Sequence, residues 1–288
     1  MKVLLLATTY EYGGVSSVVR NIMDNLNKEE FDVTFVVERL DPKHYKLRDD
    51  IKFVNINIQP VKGYGRKFIN IFRHLYRLRK SIVSENPDIV LSFAFPVNCL
   101  CLLSFLLPLK NKPKVILGEH TELLFIKEKA NTFKGNKGKF FIFIYKTIMF
   151  LLYHRADAVI CVSMSIAGHI KRFFLMDPKK VRVIHVPVNI EEIKIRSQEK
   201  AHNYENNDNL PCIGTISRLL AAKGINYLIR SFSDLIKRID ARLIIVGDGE
   251  ERGNLETMVR NLKIEDKVSF LGFLENPYNY LRKMDVFV

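Results

Sequence analysis

Residues 211–224 read Pro-Cys-Ile-Gly-Thr-Ile-Ser-Arg-Leu-Leu-Ala-Ala-Lys-Gly, and their types and order fit anion chemistry. A short apolar run ends at Ser217. Two cations, Arg218 and Lys223, then flank a tight loop that opens a helical pattern. The N–H groups of a helix N-terminus point at a bound anion, and the helix dipole adds partial positive charge. Arginine grips phosphate oxygens through two bonds, while lysine acts as a point charge. Gly224 beside the lysine permits close backbone approach. Such a junction is suited to holding a phosphate.

A site of this kind needs a sheet to carry it. The chain has 288 residues, enough for about two domains. Its hydrophobic content of 48% allows a sizeable core. The four cysteines (Cys99, Cys101, Cys161, Cys212) sit in apolar contexts without metal-ligand spacing, which marks buried reduced thiols of a cytosolic protein. The opening Met-Lys-Val-Leu-Leu-Leu-Ala is too short an apolar run for a signal peptide and reads as a first strand. The net charge of +14 is unevenly placed. Residues 1–190 hold 30 Lys+Arg against 16 Asp+Glu, and residues 191–288 hold 15 of each. A basic excess of this kind fits nucleic acid, an anionic membrane surface, acidic ligands or a merely solvated face.

Along the chain, residues 2–8 read as a strand buried on both faces. A loop containing Gly13-Gly14 follows, then a helix whose Val15, Val18, Val19, Ile22 and Leu26 share one face. This opens a Rossmann-type unit without the Gly-x-Gly-x-x-Gly fingerprint. Strands are expected at Phe31–Val37 and Ile51–Ile56. A long helix follows at 64–86, with Arg66, Arg73, Arg77 and Lys80 on one arc and Phe68, Ile71, Leu75, Leu78 and Ile82 opposite. That apolar face is expected on the sheet, leaving the basic face to solvent or to anionic headgroups. The uncharged run Ile89–Leu109 is interrupted by Pro96, Asn98 and Pro108 and reads as strand, turn at Phe95–Asn98 and buried helix, not as a membrane span. A strand at Pro113–Leu117 runs into Gly118-Glu119-His120. Lys-rich residues 126–146 read as a loop, and Phe140–Tyr153 as an apolar helix too short to span a bilayer. Strands at Ala156–Val162 and Val181–Val186 enclose a helix from Ser163 to about Phe174. The polar stretch Pro187–Leu210 reads as a linker and surface loop. The alternation then restarts with strand 211–217, helix 223–239, strand 241–247, helix 250–262, strand 267–271, a short helix at 277–283 and strand 285–288. The expected fold is α/β, with two Rossmann-like domains facing a cleft, residues 1–190 and 191–288.

The pattern Gly-x-x-Ser-Arg-x-x-x-x-Lys-Gly at 214–224, followed by Gly247-Asp248-Gly249, resembles the donor-binding domain of glycosyltransferase family 4. Further stretches carry the same resemblance in order: Arg155-Ala156-Asp157-Ala158-Val159-Ile160-Cys161-Val162-Ser163, Val181 through Asn189, Val268-Ser269-Phe270-Leu271-Gly272-Phe273, and Met284 through Val288. The resemblance implies the GT-B fold and transfer, with retained anomeric configuration, of a hexosyl or N-acetylhexosaminyl group. The implied donor is a nucleotide-diphosphate sugar, UDP- or GDP-linked, and the resemblance implies no metal and no other cofactor. The expected acceptor is a saccharide or lipid-linked glycan of the cell envelope, and the positive charge of residues 1–190 would suit one linked through a lipid diphosphate. It implies that Arg218 and Lys223 hold the donor diphosphate and stabilise the leaving nucleotide. It also implies that Gly14, with Gly13, leaves room for donor phosphate and sugar; a packing turn is the alternative for this pair. His120 falls where a polar residue faces the reacting sugar or acceptor, or else it is simply a hydrogen-bonded residue at a strand end. Glu119 is a lesser candidate, Gly272 lies in the strand and loop whose backbone meets the base, and Gly247-Asp248-Gly249 reads as a turn. The family's paired glutamates fall after the Asp285-Val286-Phe287-Val288 strand, where this sequence stops. The expectation is therefore a fragment of a longer enzyme, with an incomplete second domain and an exposed edge strand at 285–288; the alternative is a complete chain without activity.

Three functions compete on these observations. One is a glycosyltransferase on the cytoplasmic face of the membrane. Another is a non-catalytic nucleotide- or phosphosugar-binding protein. Nucleic-acid binding is the third, and no recognisable motif or interleaved aromatic platform supports it.

Overall fold

The computed structural model describes residues 1–10, 14–40, 51–56, 64–120, 137–200 and 210–288. They divide into two compact units, Met1–Val188 and Asn189–Val288.

The first unit is built on a seven-stranded parallel sheet in the order β3-β2-β1-β4-β5-β6-β7. The strands are β1 (Lys2–Tyr10), β2 (Asp32–Leu40), β3 (Lys52–Asn55), β4 (Ile89–Phe93), β5 (Lys114–Glu119), β6 (Ala158–Cys161) and β7 (Val181–Val183). Register follows from β1, where Leu5 pairs with Phe35 on one side and Leu91 on the other. The continuous apolar run of β1 is buried on both faces. Leu4 and Leu6 enter one core, while Val3, Leu5 and Ala7 enter the other, as the two-residue period of a strand requires. Helix α1 (Gly14–Asn25) covers the second face through Val18, Val19 and Met23. The first face is covered by α2 (Tyr64–Glu85), α3 (Phe95–Ser104), α4 (Lys137–Tyr153) and α5 (Met164–Phe174). Burying each leucine of β1 stabilises the unit by roughly 1.5–3 kcal/mol. Strand order reverses between β1 and β4, and ligands of open parallel sheets bind at the carboxyl ends of strands beside such a reversal.

Several expectations shift. The Phe95–Asn98 segment is the first turn of α3, not a separate turn; Pro96 is tolerated there because an N–H at that position has no intrahelical partner. Helix α4 begins at Lys137, so the expected loop does not extend over 137–146, and its residues 126–136 lie outside the described residues. On α2, Leu78 and Ile82 are buried as expected, but Ile71 is exposed together with Phe72, Tyr76 and Val83. No helix among the described residues is long and apolar enough to cross a membrane. All four cysteines are free and buried.

The second unit carries a four-stranded parallel sheet in the order β10-β9-β8-β11, from β8 (Cys212–Ile216), β9 (Arg242–Val246), β10 (Val268–Gly272) and β11 (Val286–Phe287). Its core on one face joins Ile225, Ile229 and Phe232 of α7 (Ile225–Leu235) to Leu243 and Ile245 of β9 and to Leu255 and Val259 of α8 (Arg252–Leu262). On the other face Cys212, Ile244 and Val246 meet Tyr280 of the short helix α9 (Tyr278–Leu281). β11 lies at one edge with Val286 and Phe287 exposed.

The polar stretch after Pro187 is not all loop. Ile190–Ser197 form a helix, α6, capped by the Asn189 side chain, which accepts from the Glu192 N–H. Glu191 and Glu192 lie in its first turn and Lys194 and Arg196 in its last, the charge order the helix dipole favours. Arg196 donates to the Glu275 carbonyl at 2.8 Å and stacks over Tyr278. Residues 201–209 of that stretch lie outside the described residues.

Candidate active site

In the second unit, the segment after β8 sits where strand order reverses between β8 and β11. Ser217 leaves the strand, Ala221–Lys223 form a single 3-10 turn, and α7 begins at Ile225. Gly224 takes φ 68, a left-handed conformation that suits glycine. A Cβ there would lie at an ordinary 3.5 Å from the Tyr227 ring, so conformation, not crowding, selects glycine. Arg218 and Lys223 are exposed, and neither side chain makes a hydrogen bond or ion pair among the described residues. Two uncommitted cations thus stand beside the N-terminus of α7.

The backbone that carries Arg218 rests on Gly247-Asp248-Gly249. The Ser217 N–H donates to the Val246 carbonyl at 3.0 Å, and the Leu219 N–H to the Asp248 carbonyl at 3.0 Å. A Cβ on Gly247 would fall 1.9 Å from the Ser217 carbonyl oxygen, and one on Gly249 2.4 Å from that of Leu219. The tripeptide is a turn, as its composition indicates, and it is also the bed of the Arg218 loop. Gly272, at φ 71, closes the row, and its carbonyl accepts from the Gly247 N–H at 2.8 Å. Arg252 draws on Asp248 at 3.3 Å and Glu256 at 2.8 Å, so the Asp248 carboxylate is already engaged.

In the first unit, Gly14 is the first residue of α1, just beyond the carboxyl end of β1. A Cβ there would meet nothing within 4 Å among the described residues. Gly13 lies outside the described residues. His120 follows β5 at the same sheet edge and is half-buried, its ring centroid 6.0 Å from that of Phe93. Burial lowers its pKa below the ordinary imidazole value, so the ring is neutral at neutral pH. Gly118 makes room for it: a Cβ there would lie 3.2 Å from Phe93 and 3.4 Å from His120 Nε2.

Glu119 points the other way. It is only 2% exposed and lies beneath the surface, not on it. Its Oε1 accepts from Asn98 Nδ2 at 2.7 Å and from the Tyr153 hydroxyl. Burial pushes its pKa up to about 7, against the lowering effect of those two hydrogen bonds. Asn98 and Tyr153 carry no motif. Their only signal was an amide inside the uncharged run 89–109 and a hydroxyl ending an apolar helix. Among the described residues, no group of three His, Cys, Asp or Glu side chains could hold a metal ion.

Residues 12–192 match the family model described as Glycosyltransferase Family 4, and residues 196–288 match that for Glycosyl transferases group 1. The chain belongs to glycosyltransferase family 4. A Campylobacter jejuni N-acetylgalactosamine-N,N'-diacetylbacillosaminyl-diphospho-undecaprenol 4-alpha-N-acetylgalactosaminyltransferase is 24% identical over 278 residues, covering 96% of this chain and 70% of that protein. Among solved structures, sucrose-phosphate synthase from Thermosynechococcus elongatus aligns with a TM-score of 0.75 at 14% identity, over 100% of this chain and 75% of that one. Anabaena Alr3699/HepE in complex with UDP and glucose aligns with a TM-score of 0.69 at 17% identity, over 100% of this chain and 73% of that one. These likenesses give the GT-B fold expected from the sequence. As a family 4 chain, the protein is a glycosyltransferase.

Proposed function

We propose that Arg218 and Lys223 hold the diphosphate of a UDP-sugar and that the sugar passes, with retained configuration, to a saccharide on a lipid diphosphate. The observation that carries this reading is the pair of cations, uncommitted among the described residues, at the strand-order reversal of the second sheet, beside a helix N-terminus. Their charge neutralises the diphosphate as the glycosidic bond breaks, which lowers the barrier electrostatically. The neutral His120 ring offers one N–H and one lone pair to the reacting sugar or acceptor. The UDP bound to Anabaena Alr3699/HepE supports a uridine nucleotide, and the name of the Campylobacter relative supports a polyprenyl-diphosphate acceptor. Calorimetric titration with UDP tests the reading. Arg218→Ala is expected to weaken binding by about 2–3 kcal/mol. Unchanged affinity in a folded variant would remove Arg218 from the site.

An acceptor on a lipid brings the enzyme to a membrane, and we place the inner-face bilayer against α2 and α4. Phe72, Tyr76 and Val83 line an exposed stripe of α2 beside the exposed Arg73 and Lys80. On α4, Met149, Leu152 and Tyr153 are buried, and on the opposite face Phe143 is 66% and Leu151 63% exposed among the described residues. An apolar face flanked by lysines suits the boundary between anionic headgroups and acyl chains.

A further inference from the structure

The transfer reaction as described makes no direct use of the polar cluster under His120. Ser92, Asn98, Glu119 and Tyr153 are all buried in the apolar core between the sheet and helices α3 and α4. Burying such groups is costly unless each is satisfied, and here they satisfy one another. Asn98 is the hub. Its Nδ2 donates to Glu119 Oε1 at 2.7 Å and to the Gly118 carbonyl at 3.1 Å, while its Oδ1 accepts from Ser92 Oγ. Tyr153 donates its hydroxyl proton to Glu119.

The backbone shows what this holds. The Ala94 N–H donates to the Gly118 carbonyl at 3.0 Å, and the Val162 N–H to the Glu119 carbonyl at 3.2 Å. The two carbonyls preceding His120 are therefore fixed from both neighbouring strands. Ala94 holds φ 74, a conformation unfavourable for alanine that persists only where its surroundings enforce it. The cluster ties the carboxyl ends of β4, β5 and β6 to α3 and α4, immediately before the residue that faces the open sheet edge.

We propose that Asn98, Glu119 and Tyr153 form a positioning unit that fixes the end of β5 and holds the His120 ring against Phe93, in register with the reacting sugar. Glu119 acts through the strand it terminates, because its buried carboxylate is kept from the ligand. The proposal rests on the reading of His120 given above, and the test separates the two. Side-chain NMR titration of His120 reports the ring's environment, and steady-state kinetics with donor and acceptor reports transfer.

Tyr153→Phe keeps the shape of the core and removes one donor. It is expected to raise the His120 pKa toward the ordinary imidazole value and to lower kcat about 10-fold, with donor KM changed less than about 2-fold. Glu119→Gln keeps the oxygen that both donors use, and is expected to shift the His120 titration less than Tyr153→Phe does; a larger shift overturns the role given to the two donors. A His120 titration identical in wild type and Tyr153→Phe overturns the proposal, whatever the activity. A shifted titration with unchanged kcat upholds the positioning unit and overturns the reading of His120. A Tyr153→Phe chain that does not fold assigns the cluster to general stability and overturns the proposal as well.

Discussion

Gly247 and Gly14 are both glycines beyond the carboxyl end of a central strand, yet they answer to different constraints. Gly247 has φ 128 and no room for a Cβ against the Ser217 carbonyl. Gly247→Ala is expected to cost about 1–3 kcal/mol of stability from the backbone alone and to displace the Arg218 loop. Denaturant unfolding and UDP titration should both register the change. Gly14→Ala meets neither obstacle, so unfolding should shift by less than about 0.5 kcal/mol. Loss of transfer in that stable variant would report lost ligand space, and retained transfer would leave the glycine pair a packing turn. Glu119 gives a pH prediction. Burial raises its pKa and the hydrogen bonds from Tyr153 and Asn98 lower it, while the thiols of Cys99 and Cys161 are raised first by burial and then by its charge. Its folded pKa of about 7 exceeds the ordinary value of 4.5. The folded state therefore binds the extra proton, and this stabilising contribution is lost as pH rises from 4.5 through 7. Glu119→Gln removes that dependence. Relative to wild type it should gain on the order of 3 kcal/mol between pH 4 and pH 8, read by urea unfolding at each pH. The proposed anion-binding stretch is legible at this scale because Arg218, Lys223 and Gly224 lie close together in sequence. The support of Arg218 by Gly247 and the tie between Glu119 and Tyr153 are long-range, and no local pattern records them.

At the scale of elements, periodicity located α1, α5, α7 and the central strands, because each buries one regular face or both. It failed where burial is irregular. Helix α6 has no buried residue and holds to α9 through Arg196, so its charges read as a solvated linker. The start of α4 was hidden because Lys137 and Lys139 precede its apolar residues and resemble the Lys-rich stretch before them. The same helix carries a testable surface. The face opposite Met149, Leu152 and Tyr153 is apolar but unburied, so its residues add little to folding. Phe143→Asp combined with Leu151→Asp is expected to change unfolding free energy by less than about 1 kcal/mol. It should abolish flotation with vesicles containing acidic phospholipid, and neutral vesicles should bind the wild type more weakly because Arg73 and Lys80 lose their counter-charges. Equal flotation of variant and wild type would place the bilayer elsewhere.

For the whole molecule, charge and core divide along the same line. The excess of cations lies in residues 1–190, and residues 191–288 are balanced. Each of the two compact units, Met1–Val188 and Asn189–Val288, has hydrophobic cores of its own. A long-range positive field over the first unit fits an anionic surface or acceptor there. In the proposed reading, the balanced second unit holds its anion by local geometry, through Arg218, Lys223 and a helix terminus. The consequence is a difference in what each ligand stabilises. A ligand that binds only the folded state adds RT ln(1 + [L]/Kd), about 2.7 kcal/mol at a hundredfold excess over Kd. With UDP alone that stabilisation should appear in the second unit. Amide hydrogen exchange read by mass spectrometry is expected to slow in Ser217–Gly224 and Gly247–Gly249, with peptides of β1 and β5 little changed. Arg218→Ala should remove the slowing at the same UDP concentration. Protection confined to the peptides around Gly14 and His120 would move the diphosphate site to the first unit and leave Arg218 and Lys223 without the ligand assigned to them.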